Sequence, residues 1–183
     1  MAKKNFQNKK AVKQSSKKKS NNQVYKYLVI VLIIVFAVFM IINNFFPGKK
    51  KDNEFIFKKN GVLTFTDSTG NVKDKIDIQI AETDFDRQLG LMFRKSMGEN
   101  QGMLFIFPEA TVQSFWMRNT YISLDMIFVN SEKKIITIHR NTKILSDQSY
   151  QSTEQAKYVI EVDAGFADKF NIKVGDKVDW TRT

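Results

Sequence analysis

GLMFRKSMGENQGMLFIFPEATVQSFWMRNTYISLD, residues 90–125, sets Met92, Phe93, Met103, Leu104, Phe105, Phe107, Phe115, Trp116 and Met117 around a few polar side chains, Arg94, Arg118, Asn119 and Asp125. Apolar density of this kind needs a core to enter, and polar groups carried in with it need partners. The runs on either side are short and strand-like. Residues 74–81 (DKIDIQIA) alternate, with Ile76, Ile78 and Ile80 on one face and Asp77 and Gln79 on the other, as in a half-exposed strand. Residues 103–107, 112–117, 123–130, 135–140, 157–163 and 177–180 read as further strands, with Pro108 breaking the first of them.

Turn chemistry supplies the joints. Lys58-Lys59-Asn60-Gly61 carries an Asn-Gly hairpin signal between two short runs, 68–71 is a turn, and 131–134 is a tight turn. Thr83 is a good N-cap, with Asp84 and Asp86 behind it and Phe85, Leu89 and Met92 at helical spacing. A helix over 83–93 follows, with Gly90 marking close packing against a strand. Residues 164–170 form a short helix or turn, and 141–156 is the longest loop. Roughly eight strands and one or two short helices, with no βαβ alternation, predict a mainly β, barrel-like single domain over 54–183.

The N-terminal part is different. Residues 1–23 are Lys, Asn, Ser and Gln with little to bury, which predicts a disordered tail. Residues 27–42 (YLVIVLIIVFAVFMII) then run without a charge. At helical rise they span roughly 24 Å, and Val24, Tyr25, Phe45 and Phe46 extend that toward a hydrocarbon core of about 30 Å. No face of this run is polar, which argues against a buried core helix. It ends in NNFFPGKK and not in a small-x-small cleavage site, so 24–46 reads as an uncleaved transmembrane anchor. Nine lysines lie at or before Lys26 and three at Lys49–Lys51, which predicts a cytoplasmic N-terminus in the inner or cytoplasmic membrane. Residues 47–53 are then a linker, and the β domain lies in the periplasm or outside the cell.

Charge narrows the function. The net +10 of the 183 residues is a property of the tail: twelve of the 29 basic residues and none of the 19 acidic ones precede residue 52, so 52–183 sum to −2. A nucleic-acid-binding domain carries its basic excess on the folded part, so none is expected as partner. The chain has no cysteine, which excludes disulfides, thiolate metal sites, a cysteine nucleophile and a lipidated cysteine. With His139 the only histidine, no metal site and no cofactor is expected.

The motifs GLMFR, GMLFIF, FWMRNT and SLD, followed by HR at 139–140, YVIEVDAG at 158–165 and GD at 175–176, resemble a bacterial and archaeal family, the domain of unknown function one-nine-two. The resemblance covers about 76–180. It implies a secreted or membrane-anchored location and a common fold, and no established activity. Ser123 stands where the family usually has proline, and Arg87 where it usually has glutamate.

Two carboxylates are candidate catalytic groups. In strand phase Asp125 shares a face with Ile127 and Val129, and Glu161 shares one with Val159, so each is part-buried and needs a partner. Each reads either as a structural carboxylate or as a pocket floor. On neighbouring strands they could act as a general acid and base, Asp125 being supported by Arg94 or Glu161. Arg94, Trp116, Arg118, Asn119 and Asp125 are candidate ligand-binding residues, with Trp116 beside Arg118 as a platform for a glycan, a peptide or another envelope protein, or simply as core. His139 reads as a strand-end surface residue, and the methionines as core filling. The leading expectation is a binding module of the cell envelope. The alternatives are a hydrolase built on Asp125 and an assembly factor acting through the basic tail.

Overall fold

The structure, a computed structural model, describes residues 8–45 and 56–183, with side chains at 23–41 and 56–183. Residues 1–7 and the expected linker at 47–53 lie outside the described residues. The chain divides into two compact units, Met1–Asn53 and Glu54–Thr183.

The first unit is one helix, α1 (Asn8–Phe45). It is longer than the apolar run and begins inside the segment expected to be disordered. Its Gln23–Ile41 section is long and apolar enough to cross a membrane, and none of that section is buried against protein. Nineteen residues at helical rise span about 28 Å.

The second unit is built on a seven-stranded mixed sheet. Its strands are β1 (Gly61–Thr66), β2 (Val72–Ala81), β3 (Gln101–Thr111), β5 (Leu124–Val129), β6 (Ile135–His139), β8 (Ala156–Asp163) and β9 (Lys177–Arg182). The order is β6-β5-β8-β3-β2-β1-β9, and a small second sheet pairs β4 (Ser114–Phe115) with β7 (Tyr150–Gln151). The expected barrel does not form. The edge strands β6 and β9 meet only at one end, through the isolated bridge Lys134↔Lys177, and the rest of the sheet is open. Strand periodicity reports which face is buried and carries no information on whether the two edges meet.

Three further expectations are corrected. Asn60-Gly61 is not a hairpin turn: no strand is assigned over 56–60, and the Asn60 N–H donates to the Ile78 carbonyl at 2.8 Å, so this segment simply runs into β1. The true β1–β2 hairpin turns at 67–71, where Asp67 Oδ1 accepts from the N–H groups of Thr69 and Asn71, both at 2.9 Å. Hydrogen bonds from the Thr69 hydroxyl and the Asn71 side-chain amide, with these backbone ones behind them, hold its carboxyl well below the usual carboxylate range. Second, β2 and β3 are parallel, joined through α2 (Asp84–Leu89), so one β-α-β crossover exists after all. Third, Pro108 does not end β3. It sits within the strand where the pairing to β8 shifts register between Ile106 and Thr111, which is how a strand absorbs a residue without an N–H.

Both faces of the sheet are buried. One face carries Leu63, Phe65, Ile78, Leu104, Ile127 and Ile160 and is covered by α3 (Phe166–Lys169) and Ile172. The other carries Met103, Phe105, Leu124, Met126, Phe128 and Val159 and is covered by Leu91, Met117, Ile122 and Tyr150. Full burial of β5 on both sides explains why LDMIFV is a continuous apolar run around one carboxylate.

Candidate functional site

Glu161 lies in the middle of the second face. The register places Gln79 beside Met103, Met103 beside Glu161, and Glu161 beside Met126 across four neighbouring strands. Thioethers are weak hydrogen-bonding partners, so neither flanking methionine serves the carboxyl. Glu161 is 4% exposed, and that exposure opens into a cleft of about 260 Å³. Burial pushes its carboxyl up to about 8; the charge of Arg94 opposes this and no hydrogen bond contributes. Arg94 is itself 7% exposed, and its Nη2 donates to Gln79 Oε1 at 2.9 Å. Its burial lowers its own pKa against the pull of Glu161.

Two short segments roof the cleft. The first is α2 and the turn after it. Thr83 caps α2 as expected, its hydroxyl accepting from the Asp86 N–H at 3.1 Å. The helix stops earlier than 93, at Gly90, whose φ of 48° and ψ of −133° are costly for any residue with a Cβ. A Cβ there would also lie 3.2 Å from Phe105 Cζ, so the close approach to a strand predicted for Gly90 is real. Gly90→Ala should cost about 1–3 kcal/mol in thermal unfolding, and a melting temperature equal to that of the wild type would refute this account of the turn.

Arg87 ties α2 to the sheet. Its guanidinium donates to the Ile106 carbonyl at 2.9 Å and to the Glu82 carbonyl, and pairs with Asp84. The arginine that departs from the family pattern therefore has a structural task.

The second roof segment is 114–120. Phe115 packs edge-on against Phe105, Phe107 and Phe128, with centroids 5.1–6.1 Å apart, and forms the aromatic wall of the cleft. Trp116 stands at the rim, 46% exposed, with the Arg118 guanidinium 4.1 Å above its ring. Arg118 also pairs with the exposed Asp147 at 2.7 Å. Met117 to Thr120 make a turn, with Asn119 at φ 56°, a conformation asparagine tolerates well. The Asn119 carbonyl accepts from the Phe93 N–H at 2.8 Å and so clamps the two roof segments together.

The candidate residues thus separate. Glu161 and Trp116 line the cleft, and Arg94 adjoins Glu161. Arg118 covers the outer side of Trp116, and Asn119 shapes the turn. Asp125 lies on the opposite face of the sheet: its register partner is Val162, whereas Met126 is the partner of Glu161. It is 0% exposed and accepts two backbone N–H groups, from Asn141 (Oδ1, 2.9 Å) and Ala167 (Oδ2, 2.9 Å). The two carboxylates therefore do not face a common space. His139 Nε2 lies 2.8 Å from the Gln151 carbonyl, with its ring packed on Phe128 and Tyr150. Sequence reasoning missed the wall made by Phe105, Phe107 and Phe115 and the roles of Gln79 and Arg87, since each depends on pairings far apart in the chain.

Residues 64–180 match the family described as an uncharacterized ACR, the domain of unknown function 192. The chain belongs to this family. Curated members of the UPF0127 family are similar to the same part of it. One from Pyrococcus furiosus is 30% identical over 59% of this chain and 90% of its own length, and one from Pyrococcus abyssi is 32% identical over 60% and 91%. Among solved structures, a Sinorhizobium meliloti protein, described provisionally as a transcription regulator, is 31% identical with a TM-score of 0.65, covering 68% of this chain and 96% of that one. A Novosphingobium aromaticivorans protein of unknown function is 33% identical with a TM-score of 0.62, covering 65% and 84%. The DUF192 match takes in β2 to β8, parts of β1 and β9 and both roof segments of the cleft, and begins well after α1.

Proposed function

We propose that this DUF192 protein is a membrane-anchored, extracytoplasmic binding domain whose ligand enters the cleft over Glu161. The observation that carries the reading is an acid 4% exposed at the floor of an aromatic-walled cavity of about 260 Å³. Concave spaces with aromatic walls and a few convergent polar groups, here Arg87, Gln113, Ser114 and Thr120 beside Glu161, are what small-ligand sites look like. The long, largely apolar section Gln23–Ile41 and the lysine excess at its N-terminal side support the anchor and its orientation. A hydrolase built on Asp125 has less support, because both its oxygens already accept backbone hydrogen bonds on the other face of the sheet. Transcription regulation, as described for the Sinorhizobium protein, has less support, because residues 52–183 sum to −2 and carry no net basic excess.

Two measurements test the proposal. The chain has no cysteine, so Ser68→Cys in the exposed β1–β2 turn supplies a single label site. A membrane-impermeant maleimide added to intact cells or spheroplasts should modify it; labelling only after lysis would overturn the orientation. A fragment library screened by NMR against the full chain in nanodiscs should yield ligands that shift Phe115 and Trp116 resonances. A library that leaves those resonances untouched would overturn the cleft as a binding site.

A further inference from the structure

We propose that the Glu161 cleft takes a compact, mainly apolar ligand that ends in one acceptor oxygen of carbonyl type, to which the Glu161 carboxyl donates its proton. The inference deepens the binding reading above and rests on it. Size comes first. A cavity of about 260 Å³ lies just below the range of roughly 300–1,000 Å³ usual for ligand pockets, so the occupant is smaller than a drug-sized molecule. The walls supplied by Leu91, Phe105, Phe107, Phe115 and Trp116 suit an apolar body.

The polar end follows from what surrounds the carboxyl. Its strand neighbours Met103 and Met126 are not useful partners, and the cavity is the side from which one can arrive. The charge that acts on it is that of Arg94, from the segment after α2; the Arg87 guanidinium lines the same cleft, and His139 lies in the same row beyond Met126. Gln79 on β2 is uncharged. Among the described residues, the acids paired at the roof, Asp84 with Arg87 and Asp147 with Arg118, are exposed. This setting disfavours a ligand ammonium, which would also require Glu161 to ionise. Raised by burial to about 8, the carboxyl is protonated at neutral pH and presents an O–H donor. An acceptor oxygen completes it, whether the oxygen belongs to a ketone or to a carboxylate.

A matched series on one phenyl scaffold tests the class by calorimetry on the full chain in nanodiscs, with empty nanodiscs as blank. The probes are acetophenone, benzoate and benzylammonium. Binding of acetophenone, benzoate or both should fall about tenfold between pH 7 and pH 9, because only the protonated form of a group titrating near 8 can donate. The Glu161→Gln variant, whose amide N–H replaces the donor, should bind within a few-fold of the wild type and lose that pH dependence. Glu161→Leu should lose binding by tenfold or more while its thermal unfolding remains cooperative. The proposal is overturned if benzylammonium alone binds, strengthens as pH rises and is abolished by Glu161→Gln; the cleft would then still be a ligand site, for cations. It is also overturned if none of the three probes binds, and the fragment screen then decides separately whether the cleft binds anything.

Discussion

Glu161→Gln should make the protein more stable at pH 8 and leave it unchanged near pH 4.5. In the unfolded chain this carboxyl titrates at about 4.5, and in the fold burial raises it to about 8. Below pH 4.5 both states hold the proton, and the wild type has the full benefit of a neutral, buried acid. Between 4.5 and 8 the unfolded chain releases its proton while the folded one keeps it, so each pH unit costs about 1.4 kcal/mol of wild-type stability from this group. The loss levels off above the folded value, at an upper limit of ~5 kcal/mol across the window. Glutamine is close to the protonated acid in shape, stays neutral, and leaves Arg94 facing an uncharged partner as the protonated acid does. The variant should therefore gain roughly 2–4 kcal/mol at pH 8, or about 10 °C in melting temperature for a domain of this size. The check is thermal unfolding of both proteins from pH 4.5 to 9. Parallel curves with a constant offset would mean that Glu161 is not held protonated, and would remove the donor on which the ligand class depends.

The same residue shows how much the sequence could tell. That Glu161 shares a strand face with Val159 follows from alternation alone, and the structure agrees: it lies on the buried face with Met103 and Met126. That it floors a cleft does not follow, because the cleft is made by segments about 40–75 positions away whose approach depends on pairing between distant strands. Asp125 shows the converse. Its phase with Ile127 and Val129 was legible, and so was its need for partners. Those partners are backbone N–H groups of Asn141 and Ala167, which no side-chain pattern encodes, so sequence alone pointed to Arg94 or Glu161 as its support. Local chemistry was legible at the Thr83 cap and the turns at 68–71 and 131–134, though not at Asn60-Gly61, where the same turn signal leads into a strand. Global closure was not, since an alternating strand looks the same in an open sheet and in a barrel.

Asp125→Asn should lower the melting temperature by about 10 °C and leave the cleft unaffected. The wild-type carboxylate offers an acceptor to each of two backbone donors, one at the end of β6 and one in the first turn of α3. Asn141 has a φ of 50°, and Gly165 ahead of α3 has a φ of 88°, so both segments adopt backbone conformations that need an anchor. An asparagine supplies one acceptor oxygen and turns an amide NH2 toward the other N–H, donor against donor, at a site with 0% exposure. A buried backbone N–H left unsatisfied costs about 1–3 kcal/mol, and the surviving bond loses its charge assistance, so a total of roughly 2–4 kcal/mol is expected. Asp125→Leu should cost more, since it orphans both donors. The Arg140–Asp168 pair spans the same two segments at 2.9 Å, but it is partly exposed and cannot compensate. Thermal unfolding gives the stability, and the Phe115 and Trp116 resonances report on the cleft across the sheet. A variant that melts like the wild type but no longer binds cleft ligands would reverse the assignment and make Asp125, and not Glu161, the functional carboxylate.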